Sequence, residues 1–159
     1  HALKQQWRER ETLKRYLTVV EGFVDPSHGM IDAPLGADPS DPRRRAVVDD
    51  GQSARSEFEV LEQFGDTAAL ISVRIFTGRT HQIRVHMAAI GHPVLGDHMY
   101  GHPSDLIERQ ALHARLLGLT LPSTGEWREF EAALPPDFEE LIEMLQRQHR
   151  AAPDHTAAG

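Results

Sequence analysis

Residues 68–84 read Ala-Ala-Leu-Ile-Ser-Val-Arg-Ile-Phe-Thr-Gly-Arg-Thr-His-Gln-Ile-Arg, and two periodicities meet inside them. From Ala68 to Phe76 the chain alternates, with Leu70, Ser72, Arg74 and Phe76 on one face and Ala69, Ile71, Val73 and Ile75 on the other, as in a strand with one buried side. From Gln82 onward the apolar residues Ile83, Met87 and Ile90 recur at spacings of four and three, which fits one face of a helix and fails strand alternation. Thr77 and Gly78 lie at the change, where glycine permits a tight turn, and Gly91 closes the helix. A strand ending in glycine, a threonine hydroxyl and the first N–H groups of a helix together suit an anion, phosphate in particular. Arg79 on the turn is free to reach outward. Arg84, inside the helix, has its Cβ directed back toward the helix N-terminus and can point into a pocket. His81 and Gln82 add hydrogen-bonding edges.

Working outward, residues 54–64 alternate too, with Phe58, Val60 and Phe64 against Glu57, Glu59 and Gln63, and Gly65-Asp66 turns them into the next strand. This predicts an antiparallel hairpin. Residues 12–20 are β-formers ending at Gly22, fed by a helical stretch over residues 3–10. Pro26, Gly29, Pro34, Gly36, Pro39 and Pro42 mark residues 23–45 as a long turn-rich connection with room only for a short strand at 30–33. Residues 46–48 form a short strand, and Asp49-Asp50-Gly51 is a turn signal. Further on, the pattern predicts a helical turn over 106–110, a strand over 111–121, its hairpin partner over 127–131, and a final helix over 138–148 whose apolar stripe is Leu141, Ile142 and Leu145. Residues 151–159 are expected to be a disordered tail. Strands and helices without βαβ alternation predict an α+β domain over residues 1–150, built on a mixed, largely antiparallel sheet with flanking helices.

A length of 159 residues fits one domain. No window approaches the ~18 apolar residues of a membrane span, so a cytoplasmic protein is expected. The absence of cysteine excludes disulfides and thiolate metal ligands. A net charge of -7 argues at first against a nucleic-acid partner, but its distribution softens the argument. Residues 1–102 hold 12 Lys+Arg against 14 Asp+Glu, whereas residues 103–159 hold 5 against 10. The acid is concentrated late, and the basic residues cluster as Arg8, Arg10, Lys14 and Arg15, then Arg43-Arg44-Arg45, then Arg79 with Arg84. Ten histidines invite a metal, yet no His-Glu-x-x-His pattern accompanies them, and no metal is expected.

The run from Thr77 to Arg84, continued through His92-Pro93, Gly96-Asp97 and Tyr100-Gly101, resembles the hallmark segment of the RluA-type RNA pseudouridine synthases. Leu3, Trp7, Arg10, Lys14, Tyr16 and Gly22 are similar to that family's helix-to-strand segment. Ala33-Pro34-Leu35, Asp41-Pro42-Arg43, Ala54 with Phe58, and Leu112-His113-Ala114 match in order, so the similarity runs over roughly residues 3–138. The resemblance implies the synthase fold and an enzyme that isomerises uridine in ribosomal or transfer RNA. In such enzymes an aspartate attacks the target uridine, and the base is detached from C1′, rotated and rejoined through C5, with no cofactor and no metal. Tyr16 corresponds to the tyrosine that stacks on the flipped base, and Arg84 to the basic residue that pairs with the nucleophilic carboxylate and holds it ionised. Arg43, Arg44, Arg79, Thr80, His81 and Gln82 are the expected RNA contacts, and a monomer is expected.

The family's nucleophile lies in a His-Arg-Leu-Asp-type motif upstream of the helix that leads to Tyr16, and no such motif occurs in these residues. Asp97 falls on the family's Gly-Asp pair and reads as structural, while Asp49-Asp50 reads as a turn. The chain is therefore expected to be the C-terminal part of a catalytic domain without its N-terminal portion, and the ionic partner of Arg84 is expected to lie outside it. The alternative is a non-catalytic RNA-binding module that keeps the fold. The 159 residues alone are expected to make no pseudouridine when incubated with RNA. Mass spectrometry of the digested RNA checks this, and any product would overturn it.

Overall fold

The computed structural model describes residues 12–151. The helix expected over 3–10 and nearly all of the expected tail over 151–159 lie outside the described residues. Ten elements follow in order: β1 (Leu13–Glu21), β2 (His28–Asp32), β3 (Leu35–Asp38), β4 (Asp41–Val47), β5 (Arg55–Phe64), β6 (Ala68–Ile75), α1 (Gln82–Ala89), β7 (Leu112–Thr120), β8 (Trp127–Glu131) and α2 (Pro136–Ala151). Six strands make one sheet in the order β2-β5-β6-β1-β7-β8, every neighbouring pair antiparallel, and β3 and β4 form a separate two-stranded ribbon. The α+β class expected from the pattern is the class observed.

The hairpin of β5 and β6 forms as the alternation predicts, and β1 inserts on its far side. Tyr16 stands opposite Val73 and Lys14 opposite Ile75, so these four share a sheet face. Ala69, Ile71, Val73 and Ile75 are the buried row of β6. Tyr16, Ile75, Ile83 and Leu112 line a common cavity, so α1 covers this face. His113 is next to Leu112 and points to the opposite face, where its ring meets Phe138 of α2. Phe138, Leu141 and Leu145 are fully buried there. The sheet is thus covered on both sides, and its buried apolar residues form one main core, each large side chain contributing about 1.5–3 kcal/mol.

Two segments differ from expectation. Residues 23–45 are not a bare connection, because β3 and β4 pair within them. Pro39 and Pro42 read as breakers, but the ribbon is only two strands wide, and an edge strand tolerates a proline without its N–H. Its tip is closed by the Asp38 carboxylate, which accepts from the Ser40 N–H and hydroxyl. At its base Leu35 and Gln52 exchange two backbone hydrogen bonds, and a Cβ on Gly51 would stand 2.6 Å from the Leu35 backbone, so the close approach requires glycine. The helical turn expected over 106–110 is absent. Ala111 instead donates to Leu95, which donates to Val19, while Val19 donates to Ala111. This stitching ties Ala111 to the end of β1, and the residues before it run as bends without a helical turn.

The short helix α1 is held by a buried polar relay. Thr77 donates its hydroxyl to Gln82 Oε1 at 2.8 Å, and Gln82 Nε2 donates to Ser56 Oγ and to the Arg55 carbonyl at 2.9 Å each. Ser56 Oγ lies 2.8 Å from His86 Nδ1, and His86 Nε2 lies 3.0 Å from the Ala33 carbonyl. A carbonyl can only accept, so His86 carries its proton on Nε2 and takes the Ser56 proton at Nδ1. Burial pushes the His86 pKa down. The folded state therefore favours the neutral ring, and its contribution is complete above the unfolded value of about 6.5 and is lost as pH falls through the lower folded value. His86→Leu is expected to lower stability and to flatten its decline over about pH 7 to 5, as measured by denaturant melts across that range.

Candidate active site

The turn between β6 and α1 sets Arg79, His81 and Arg84, while β1 carries Tyr16. His81 caps the helix in the left-handed region at φ 57, an uncommon conformation for a residue with a side chain and a mark of sites under functional constraint. Gly78, expected to supply that freedom, does not adopt a positive φ. Its value is space, because a Cβ there would stand 3.2 Å from Lys14 Nζ.

Arg84 is the centre of the site. Its Nε donates to Asp97 Oδ2 and its Nη2 to Asp97 Oδ1, both at 2.8 Å, a bidentate pair of the strongest geometry. Asp97 is fully buried and also accepts the N–H groups of Met99 and Tyr100. Burial opposes its ionisation, but the Arg84 hydrogen bonds and those two N–H donors outweigh it and hold the carboxyl below its usual range. The same pair raises the Arg84 pKa. This corrects the expectation that the partner of Arg84 lies outside the chain: one edge of its guanidinium is bound within it. Nη1 has no hydrogen-bond partner among the described residues.

Tyr100 is the residue that sequence reasoning left without a role. Its ring lies 5.1 Å from the Arg84 guanidinium carbon and 5.2 Å from that of Arg44, both within cation–π range. Its hydroxyl accepts the Arg45 N–H at 2.9 Å and lies 2.8 Å from His81 Nδ1. Burial first, then the charges of Arg84 and Arg45, push the His81 pKa down against the opposing pull of Asp97. The ring is neutral at neutral pH, and its Nδ1 shares a hydrogen bond with the phenol. Tyr100 thereby fastens the β3–β4 ribbon to the helix cap. The Gly96-Asp97 and Tyr100-Gly101 spacing was the available signal, but the ribbon it fastens was not visible in the sequence.

Tyr16 and Arg84 line one cavity of about 260 Å³, with Ile75, Ile83 and Leu112 as its apolar lining and Arg79 and His81 beside them. Burial raises the Tyr16 pKa, so its phenol keeps its proton at neutral pH. A larger hollow of about 530 Å³ lies at the β2–β5 edge, lined by charges of both signs, Arg15 with Glu57 and Glu59.

The expected RNA contacts divide. Thr80 is exposed and Arg79 half-buried, its Nε donating to the Ser53 carbonyl at 2.8 Å. Arg43 stands at the exposed end of the ribbon in an ion pair with Asp41 at 3.1 Å, and Arg44 is stacked on Tyr100. Gln82 requires correction. It is 3 % exposed and its carboxamide serves Thr77, Arg79, Arg55 and Ser56, so it braces the turn and has no edge left for RNA. Two histidines outside the site have structural partners: His92 meets the Glu21 carbonyl and His102 the Glu21 carboxylate. Among the described residues no three His, Asp or Glu side chains gather as metal ligands, and no helix is long and apolar enough to cross a membrane.

An aromatic ring and a clamped guanidinium thus stand together over an apolar floor, with Arg79 beside them. The pattern of the family described as RNA pseudouridylate synthase matches residues 1–89. The chain is 46% identical over 147 residues to an uncharacterised RNA pseudouridine synthase of Chloroflexus aurantiacus, covering 91% of this chain and 46% of that protein. It is 42% identical over 139 residues to the dual-specificity RNA pseudouridine synthase RluA of Escherichia coli, covering 86% of this chain and 63% of that protein. Among solved structures, human RNA pseudouridylate synthase domain containing 1 superposes with a TM-score of 0.73 at 28% identity, covering 95% of this chain and 71% of that one. The chain belongs to the RNA pseudouridylate synthase family, and it spans about half the length of the first two curated relatives.

Asp97→Asn leaves the Arg84 charge nearly buried without its counter-ion and is expected to cost about 3–5 kcal/mol, read from denaturant unfolding. Because the folded Asp97 pKa is depressed, the stabilisation is complete above the unfolded value of about 3.9 and is lost as pH falls through the folded one. The difference between wild type and variant should hold from about pH 5 upward and shrink below about pH 4.

Proposed function

We propose that the protein is an RNA pseudouridine synthase acting as a monomer on ribosomal or transfer RNA in the cytoplasm. The observation that carries this reading is the meeting of Tyr16, from β1, with Arg84, from α1, on one cavity. A uridine extracted from its stack enters that cavity, as any enzyme that rearranges a base in RNA requires. The Tyr16 ring stacks on the base, and its protonated phenol is a donor for proton traffic. Arg84 is held by Asp97 along one edge and turns Nη1 to the nucleophilic aspartate, favouring its ionised form. Asp97 itself is no nucleophile, since both its oxygens are committed and it is fully buried.

The nucleophile belongs to the His-Arg-Leu-Asp-type motif, which the given residues do not include, so residues 1–150 act as the C-terminal portion of the catalytic domain. The N1–C1′ bond breaks, a C5–C1′ bond forms, and C5 gives up the proton whose equivalent N1 regains. Arg79, Arg44 and Thr80 hold the RNA chain around the cavity.

The test is tritium release from RNA labelled at C5 of uridine, using the full-length protein. Arg84→Lys keeps the charge but loses the fork, and its rate is expected to fall by about 100-fold or more with RNA affinity changed only a few-fold. Tyr16→Leu should behave likewise. Tight RNA binding by the wild type without tritium release from any ribosomal or transfer RNA would establish the non-catalytic module instead.

A further inference from the structure

A second, smaller cavity of about 110 Å³ lies between the base of the β3–β4 ribbon and the turn before α1, lined by Leu35, Arg45, Gln52, Gly78, Arg79 and Thr80. It is far below the ~300 Å³ at which pockets for larger ligands begin, so it admits a group of a few atoms and no base. Two arginines from separate segments, Arg45 of β4 and Arg79 of the turn, line it. Neither Arg45 nor Arg79 forms an ion pair with a carboxylate among the described residues, whereas Arg43 and Arg84 each have one. Asp97, whose charge acts on His81 of the turn, is already committed to Arg84. On a chain with a net charge of -7, two arginines without a carboxylate partner lining one small cavity suit an anion.

The walls are fixed before any ligand arrives. The Arg45 backbone is anchored by its N–H on the Tyr100 hydroxyl, which is tied to His81. Leu35 and Gln52 are locked by their reciprocal backbone hydrogen bonds. Arg79 is held at two points, its N–H on Gln82 Oε1 and its Nε on the Ser53 carbonyl, which leaves the Nη edge of its guanidinium for a ligand. Arg79 also lines the Tyr16–Arg84 cavity, so one side chain borders both. Planar forks of this kind match phosphate oxygens in pairs, and the Thr80 hydroxyl is a further donor.

We propose that this cavity seats a phosphodiester of the RNA chain directly flanking the nucleotide whose base enters the Tyr16–Arg84 cavity, with Arg45 and Arg79 as its two cationic ligands. The inference rests on the reading of the protein as an RNA pseudouridine synthase. Its consequence is that Arg45, through the ribbon, sets the register of the RNA backbone against the base cavity.

The test is a coupling measurement with the full-length protein. A short RNA bearing the target uridine is prepared with a single neutral methylphosphonate linkage placed in turn on either side of it. Wild type is expected to lose about tenfold in affinity at one of these linkages. Arg45→Gln should bind the unmodified RNA about tenfold more weakly and lose nothing further at that linkage, with its salt slope reduced by about 0.7, as for one phosphate on a single strand. Arg43→Gln, whose charge is already paired with Asp41, should retain the wild-type loss, and thermal melts of each variant exclude misfolding. Equal methylphosphonate losses in wild type and Arg45→Gln at both linkages would overturn the seat while leaving the RNA reading intact. Failure of wild type to bind any RNA would overturn that reading and the seat with it. Inorganic phosphate is titrated as a separate arm: saturable, Arg45-dependent stabilisation at micromolar concentration would show a free-phosphate site and overturn the phosphodiester assignment.

Discussion

The carboxamide of Gln82 is the joint on which the rest of the site depends. It is the first residue of α1, it is buried, and its two polar atoms meet four partners: the Thr77 hydroxyl, the Arg79 N–H, the Arg55 carbonyl and the Ser56 hydroxyl. Through Ser56 and His86 the relay continues to the Ala33 carbonyl, so the end of β6, the turn, α1, β5 and the entry to the ribbon are fixed relative to one another. Each hydrogen bond adds only about 1 kcal/mol net, but a buried amide left unpaired costs about 1–3 kcal/mol per group. The geometry is therefore nearly all-or-none: a helix displaced by one hydrogen-bond length would orphan several buried groups at once. That constraint lets a helix of only eight residues, too short to be stable alone, carry Arg84 in one position.

Charge is organised around the same helix. The protein is acidic overall, yet two acids on the segments that build the site are already committed. Asp97 is committed to Arg84 and Asp41 to Arg43. What remains beside the cavities is positive: Arg45, Arg79 and the outer edge of Arg84, with Arg44 packed on Tyr100. Tyr100 lets two guanidiniums approach one ring without a carboxylate between them, since the ring face attracts each. A buried pair such as Arg84–Asp97 adds little net stability over an apolar replacement. Its value is directional, because it orients a guanidinium that would otherwise sample many rotamers.

Much of this architecture was legible along the chain. The alternation in residues 54–76 marked the β5–β6 hairpin, and the shift to a period of four and three at Gln82 marked α1, because burial on one face imposes those periods directly. The β3–β4 ribbon was not legible. Its prolines and glycines signal turns, and what makes strands of the residues between them is contact with Gln52 and Tyr100, which lie outside the segment. The expected helical turn over 106–110 failed for the same reason, since its neighbour Ala111 is tied to Leu95 and Val19.

The site divides along the same line. The residue types and their order, with Tyr16 on a strand, Arg79 on a turn and Arg84 in a helix, were determined by the sequence and sufficed to mark the family. Which partner each side chain takes was decided only by the tertiary structure. Gln82 turned inward instead of toward RNA, Arg84 bonded to Asp97, and Tyr100 joined the ribbon to the helix cap. Periodicity is a local property, because a strand or helix repeats its own geometry. A hydrogen bond between residues 55 positions apart, as from Arg45 to Tyr100, depends on how the whole chain closes, and no local pattern records it.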